Sequence, residues 1–132
     1  MTKRDELLAL AERCEKACEG SRELDAAIYE TAIGLGMYES IYDRSGDLCI
    51  RDYPGEPGPE YRRLPRYSTS LDAAMTLVPT GHDWSLFFDN GSALAGCMPS
   101  SEDGCDLTDV PGATPALALC AAALRAQAEM ES

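Results

Sequence analysis

Between Tyr67 and Leu124 the chain carries no lysine and no arginine. Proteins that hold nucleic acid neutralise its phosphates with those side chains, so a chain this poor in them is opposed to direct nucleic-acid binding. The whole chain shares the bias: 11 Lys plus Arg stand against 23 Asp plus Glu, a formal net charge of −12. Such a charge favours solubility and attraction to basic surfaces. Also missing is any apolar run near the roughly 20 residues that a membrane-spanning helix requires. The start, Met-Thr-Lys-Arg-Asp-Glu, passes directly into an acidic amphipathic pattern. It lacks the apolar stretch and cleavage site of a secretion signal. The expectation is a cytosolic protein that meets neither membrane nor nucleic acid directly.

Motifs for metals and cofactors are equally sparse. The tight C-x2-C knuckles of structural zinc sites are absent. Cys14, Cys18, Cys49, Cys97, Cys105 and Cys120 are expected to be reduced thiols in a cytosolic chain. Cys14-x3-Cys18 with Cys97-x7-Cys105 makes a poor zinc set. Cys14, Cys18 and Cys120 instead fall on apolar helix stripes, where a thiol behaves as a small hydrophobe. Glu102, Asp103, Asp106 and Asp109 lack the calcium-loop pattern with its terminal bidentate Glu. No glycine-rich phosphate loop or dinucleotide fingerprint occurs. No metal and no cofactor are expected. The single histidine, His82, sits beside Asp83 just ahead of an expected strand. It could serve as a general base only if a nucleophile came from elsewhere, and an exposed loop histidine is the ordinary reading.

At 132 residues, one domain with its own core is the natural expectation. Leu7, Leu10, Ala11, Cys14, Ala17 and Cys18 recur at helical spacing, predicting a helix over 3–18 that Gly20 ends in a left-handed conformation. Ser21 caps a second helix, from about Arg22 to Leu35, with Leu24, Ala27, Ile28 and Thr31 as its stripe. Leu48–Tyr53 is a short candidate strand. Four prolines and two glycines between Pro54 and Pro65 mark a loop. Thr69 and Asp72 have capping-box spacing ahead of a short helix that Pro79 ends. Trp84, Leu86 and Phe88 then alternate with Ser85, Phe87 and Asp89, and Asn90-Gly91 signals a hairpin. A two-residue turn pairs Asp89 with Ser92 and Phe87 with Leu94. Cys105–Val110 reads as a third strand. Thr114, with Pro115 at the first helical position, opens the last helix, whose buried face is Leu117, Cys120, Ala121, Leu124 and Ala128. The order indicates an α+β fold: a small antiparallel sheet of three to four strands sandwiched by helices in α/β/α layers. Leu24-Asp-Ala-Ala-Ile28 and Leu71-Asp-Ala-Ala-Met75 are two similar helix starts rather than a repeat.

The segments Tyr67-Ser-Thr-Ser-Leu-Asp-Ala-Ala-Met-Thr-Leu-Val-Pro79 and Thr114-Pro-Ala-Leu-Ala-Leu-Cys-Ala-Ala-Ala-Leu-Arg-Ala-Gln-Ala128 carry a family resemblance. Together they resemble the phage ABA sandwich proteins, small accessory proteins of phages and prophages, and Leu24–Gly36 is similar to that family's first helix. The resemblance covers mainly Tyr67–Ala128. It implies the sandwich fold and a setting in the cytosol of a bacterial host, but no catalytic residue.

Two groups of side chains remain as candidate sites. Asp83, Asp89, Glu102, Asp103, Asp106 and Asp109 lie in or beside the hairpin and third-strand region. An acidic sheet edge there could imitate a phosphate backbone and occupy a basic groove. The ordinary reading is a solvated face whose charges discourage edge pairing. Arg62, Arg63 and Arg66 precede a helix start, a plausible place for a small anion, or else a solvated loop beside an ordinary cap. The expectation is a non-enzymatic inhibitor of a basic host nucleic-acid-binding protein. The alternatives are a binder of an anionic nucleotide at the arginines and an assembly accessory.

Overall fold

The computed structural model describes residues 2–33, 38–42, 48–52, 62–89, 92–99 and 110–131. The turn residues Asn90 and Gly91, most of the proline-rich loop, and Cys105 lie outside them.

Helix α1, Lys3–Lys16, begins with a reciprocal cap in which Thr2 Oγ1 accepts from the Asp5 amide and Asp5 accepts from the Thr2 amide. Its buried face is Leu7, Leu10, Ala11 and Cys14, as the spacing predicts. It ends sooner than expected. Ala17 is its extended cap, leaving Cys18 outside the helix and exposed rather than on an apolar face. Gly20 does not act as a left-handed terminator. Its backbone lies against Ser68, and a β-carbon there would sit 2.4 Å from the Ser68 carbonyl oxygen. The glycine serves close packing between two segments.

Helix α2, Arg22–Ile28, is capped by Ser21, whose hydroxyl accepts from the Leu24 amide. A π-helical turn over Tyr29–Ile33 follows instead of a continuous α-helix. A π turn rotates the following face relative to the α stripe, and Tyr29 enters the core directly after Ile28. A first antiparallel sheet comprises β1 (Tyr38–Tyr42), β2 (Leu48–Asp52) and β3 (Arg62–Arg63), in that order. β2 matches the expected strand. β1 has no counterpart in the sequence reading. Arg62 and Arg63 pair with Ile50 and Cys49, which corrects their assignment to a loop.

Helix α3, Leu71–Met75, is capped by Ser70 rather than Thr69. The Thr69 and Ser70 amides both donate to the Arg66 carbonyl, which holds Thr69 inside a turn and passes the capping role onward. Gly81 adopts φ +83° just ahead of the next strand, a conformation that a side chain would strain.

The second sheet has order β4–β5–β6: His82–Asp89, Ser92–Pro99 and Val110–Gly112. Asp89 pairs with Ser92 and Phe87 with Leu94, the register expected for a two-residue connection. The third strand starts where Cys105–Val110 was expected to end. It contains Pro111, tolerable because β6 lies at a sheet edge. Alternation and register put Trp84 and Leu86 on one face, opposite Cys97 and Ala95, while the Phe88 side chain lies outside the described residues.

That face meets helix α4, Pro115–Met130, capped by Thr114 and with Pro115 in its first turn as predicted. The helix packs on β5 and β6 with one flank and on α1 and α3 with others. Every residue from Ala116 to Leu124 is consequently buried. A helix apolar all round belongs in the interior, and its alanines allow close neighbours. At Gly112 an added β-carbon would lie 2.5 Å from the Ala118 nitrogen. Arg125 pairs with Glu15 on α1, and Gln127 Nε2 donates to the Leu77 carbonyl at 2.7 Å. The α+β architecture is thus a small antiparallel sheet packed against helices, with sheet, α4 and α1 in succession.

Candidate partner-binding surface

β4 positions the acidic candidates that fall within the described residues. Asp83 is exposed near the start of the strand, paired in register with Met98; Asp89 closes the strand opposite Ser92. Its odd number places Asp83 on the face away from α4, and the Asp89 side chain lies outside the described residues. Asp72, exposed in the first turn of α3, adds a further carboxylate. Glu102, Asp103, Asp106 and Asp109 lie outside the described residues.

Two large aromatic side chains accompany these carboxylates. Trp84 is 40% exposed and Phe87 53% exposed. Strand alternation correctly assigns Trp84 to the inner face, yet α4 lies over β5 and β6, so the rim strand β4 overhangs its cover. Phe87 stands on the outer face opposite Leu94. The sequence reading missed this exposure. The available signal was the placement of aromatics on both parities of one strand, Trp84-Ser-Leu-Phe-Phe88, which cannot all enter a core on one side.

The strand also holds two polar atoms shielded from solvent and without a hydrogen-bond partner among the described residues, His82 Nδ1 and Ser85 Oγ. His82 is half-buried as the first residue of β4, a correction to an exposed loop histidine. Cys97 lies on the inner face, opposite Trp84. Burial, aided by the nearby carboxylates of Glu129 and Asp83, pushes its thiol up to about 11. It therefore stays protonated at neutral pH, and a thiol in that state is a poor nucleophile.

The arginine candidates occupy a second region. Arg63 and Arg66 are exposed, and Arg62 is fixed by backbone pairing in β3. What holds this segment is a buried network absent from the sequence reading. Asp25, fully buried on α2, accepts from the Ser68 amide at 2.7 Å and the Ser68 hydroxyl at 2.6 Å through Oδ1. Its Oδ2 accepts from Arg22 at 2.9 Å. Arg22 also donates to the Leu64 carbonyl at 2.8 Å, and the Ser21 amide donates to Ser68 Oγ at 3.0 Å. The network clamps residues 64–68 to the start of α2. Ser68 is wholly buried, which removes it as an accessible nucleophile. Beneath it the Cys120 thiol donates to the Tyr67 carbonyl at 3.0 Å. Burial raises the Cys120 thiol well above its ordinary value and lifts Cys14 to about 12. Both are inert packing groups in these surroundings.

A depression of about 400 Å³ on the outward side of α1 is lined by Ala9, Glu12, Arg13, Lys16 and Ala17. Lys16 there is engaged with Glu12 at 2.8 Å, so its floor is an ordinary helix surface. Among the described residues, no cluster of three or more metal-ligating side chains occurs and no helix is long and apolar enough to cross a membrane.

No family model, curated protein or solved structure matches the chain.

Proposed function

We propose that the protein is a small acidic phage or prophage accessory protein that acts by stoichiometric binding, not catalysis. In this reading it inhibits a basic host nucleic-acid-binding defence protein, such as a CRISPR effector or another defence nuclease. The observation that carries the reading is the charge asymmetry: no Lys or Arg from Tyr67 to Leu124, against seven acids in the same stretch. The exposure of Asp83 on the same strand as the exposed Trp84 and Phe87 supports it, because interface anchors are typically aromatic and steering charges surround them. The resemblance of Tyr67–Pro79 and Thr114–Ala128 to the phage sandwich proteins supports the setting.

The test is competition. A basic protein captured from bacterial lysate should be released by moderate salt and should lose its grip on nucleic acid as this protein is added, with an end point at a fixed molar ratio. Capture without competition would contradict the inhibitor reading.

A second reading has a specific observation in its favour. Arg63 and Arg66 are exposed on a segment that the Asp25–Ser68 network holds in place. Exposed arginines at a backbone segment fixed in this way suit a small anionic nucleotide. Thermal stabilisation by nucleotides, abolished by Arg63→Glu and Arg66→Glu, would favour it over the first.

A further inference from the structure

β4 is the outer strand of its sheet. It runs for eight residues and pairs with β5 alone among the described residues. Such an edge presents backbone donors and acceptors to any extended chain that comes alongside. Natural edges are commonly blunted by lysine, and here the nearest stretch holds none. Trp84 and Phe87 are exposed on opposite faces of the strand, so a neighbouring strand would find an apolar contact on each side. Asp83 lies on the same outer face as Ser85 and Phe87, and Asp89 closes the strand in register with Ser92. The Ser85 hydroxyl is shielded yet lacks a hydrogen-bond partner among the described residues.

We propose that β4 receives an extended segment of a basic partner as an added strand of the β4–β5–β6 sheet. Lys or Arg on that segment meets Asp83, and apolar side chains along it lie against Trp84 and Phe87. The proposal rests on the acidic-surface reading and names the chemistry that would satisfy it. Opposite charges across adjacent strands stabilise pairing, and like charges oppose it. A second copy is a poor occupant for that reason: its own edge is acidic, and each chain carries a net charge of −12.

The probe is a synthetic peptide, Lys-Val-Val-Val-Thr-Val-Lys, added to the isotope-labelled full chain. Amide shifts should concentrate on His82–Asp89 and on β5. The Asp83→Lys/Asp89→Lys protein should bind roughly tenfold more weakly, and should prefer the same peptide with Glu at both ends. Phe87→Lys, at an exposed position, supplies a second variant and should weaken binding of the Lys-ended peptide similarly. Shifts centred on α1 or on Arg62–Arg66 would overturn the proposal. So would equal binding of the two peptides to the unaltered protein. A dimer of the free chain that Phe87→Lys dissociates would likewise overturn it, because the edge would already be occupied. If a lysate partner is lost on Asp83→Lys/Asp89→Lys but kept by Phe87→Lys, strand addition fails while the acidic-surface reading stands. If the double reversal leaves capture unchanged, both fail.

Discussion

Helix α4 and strand β4 lie in the same small fold and have opposite surroundings. Ala116–Leu124 is enclosed by β5, β6, α1 and α3. Among the described residues β4 has one paired side, and its aromatic residues Trp84 and Phe87 remain exposed. Hydrophobicity alone does not separate them. The decisive difference is what covers each element. α4 has a packed neighbour in several directions, and its small side chains let those neighbours approach. β4 overhangs α4 at the sheet's rim, where Trp84 and Phe87 stay exposed.

The first way to break this contrast is to disturb the buried side. Asp25→Ala would leave Arg22 and the Ser68 amide without their carboxylate. It should cost about 3–5 kcal/mol, toward the lower end because Arg22 keeps some contact with solvent. Leu117→Ala, at a fully buried site, should cost about 2–5 kcal/mol through lost burial and a cavity. Gly112→Ala should cost about 1–3 kcal/mol, since its β-carbon meets the α4 backbone at Ala118. Urea unfolding measures all three. A near-neutral Leu117→Ala would remove α4 from the core.

The second way is to disturb the exposed side. Phe87→Ser and Asp83→Asn should each move stability by no more than about 0.5 kcal/mol while weakening partner binding. A large loss of stability in Phe87→Ser would mean that Phe87 supports the fold.

The thiols give a subtler contrast. Cys18 should react at once with a thiol reagent, whereas Cys14 and Cys120 should react only on unfolding. Cys14 rises from an ordinary 9.0 to about 12 in the folded protein. A raised folded value means that its stabilising contribution is complete below the unfolded value and declines as pH climbs from about 9 toward 12. Unfolding free energy should therefore fall across that window, and less steeply in Cys14→Ala.

Local signals made much of this fold legible. Thr114-Pro115, the heptad-like face of α1 and the alternation around Asn90-Gly91 each act over a few residues, and their elements stand where the spacing put them. Much of what escaped depended on distant partners. The two similar pentapeptides show this clearly. In Leu24-Asp-Ala-Ala-Ile28 the aspartate is buried against Ser68, 43 positions away. In Leu71-Asp-Ala-Ala-Met75 the aspartate faces solvent. The pentapeptides differ only in their last residue; the partners that separate them, Arg22 and the distant Ser68, lie outside them. The packing role of Gly20 against Ser68 has the same origin, whereas the shift of the cap to Ser70 follows from a local turn on the Arg66 carbonyl. At the candidate surface, sequence identified Asp83 and Asp89 by charge and placed Asp83 by alternation. The exposure of Trp84 depended on where α4 lies, a tertiary fact, whereas that of Phe87 follows from its parity on the strand.

The most direct test compares capture by the unaltered chain, Asp83→Lys/Asp89→Lys and Arg63→Glu/Arg66→Glu, each incubated with the same bacterial lysate at matched salt and quantified by mass spectrometry. The account predicts that a basic nucleic-acid-binding protein is enriched by the unaltered chain and by the arginine variant, and is lost from the aspartate variant. Retention by the aspartate variant with loss from the arginine variant would contradict it and place function on the Arg62–Arg66 segment.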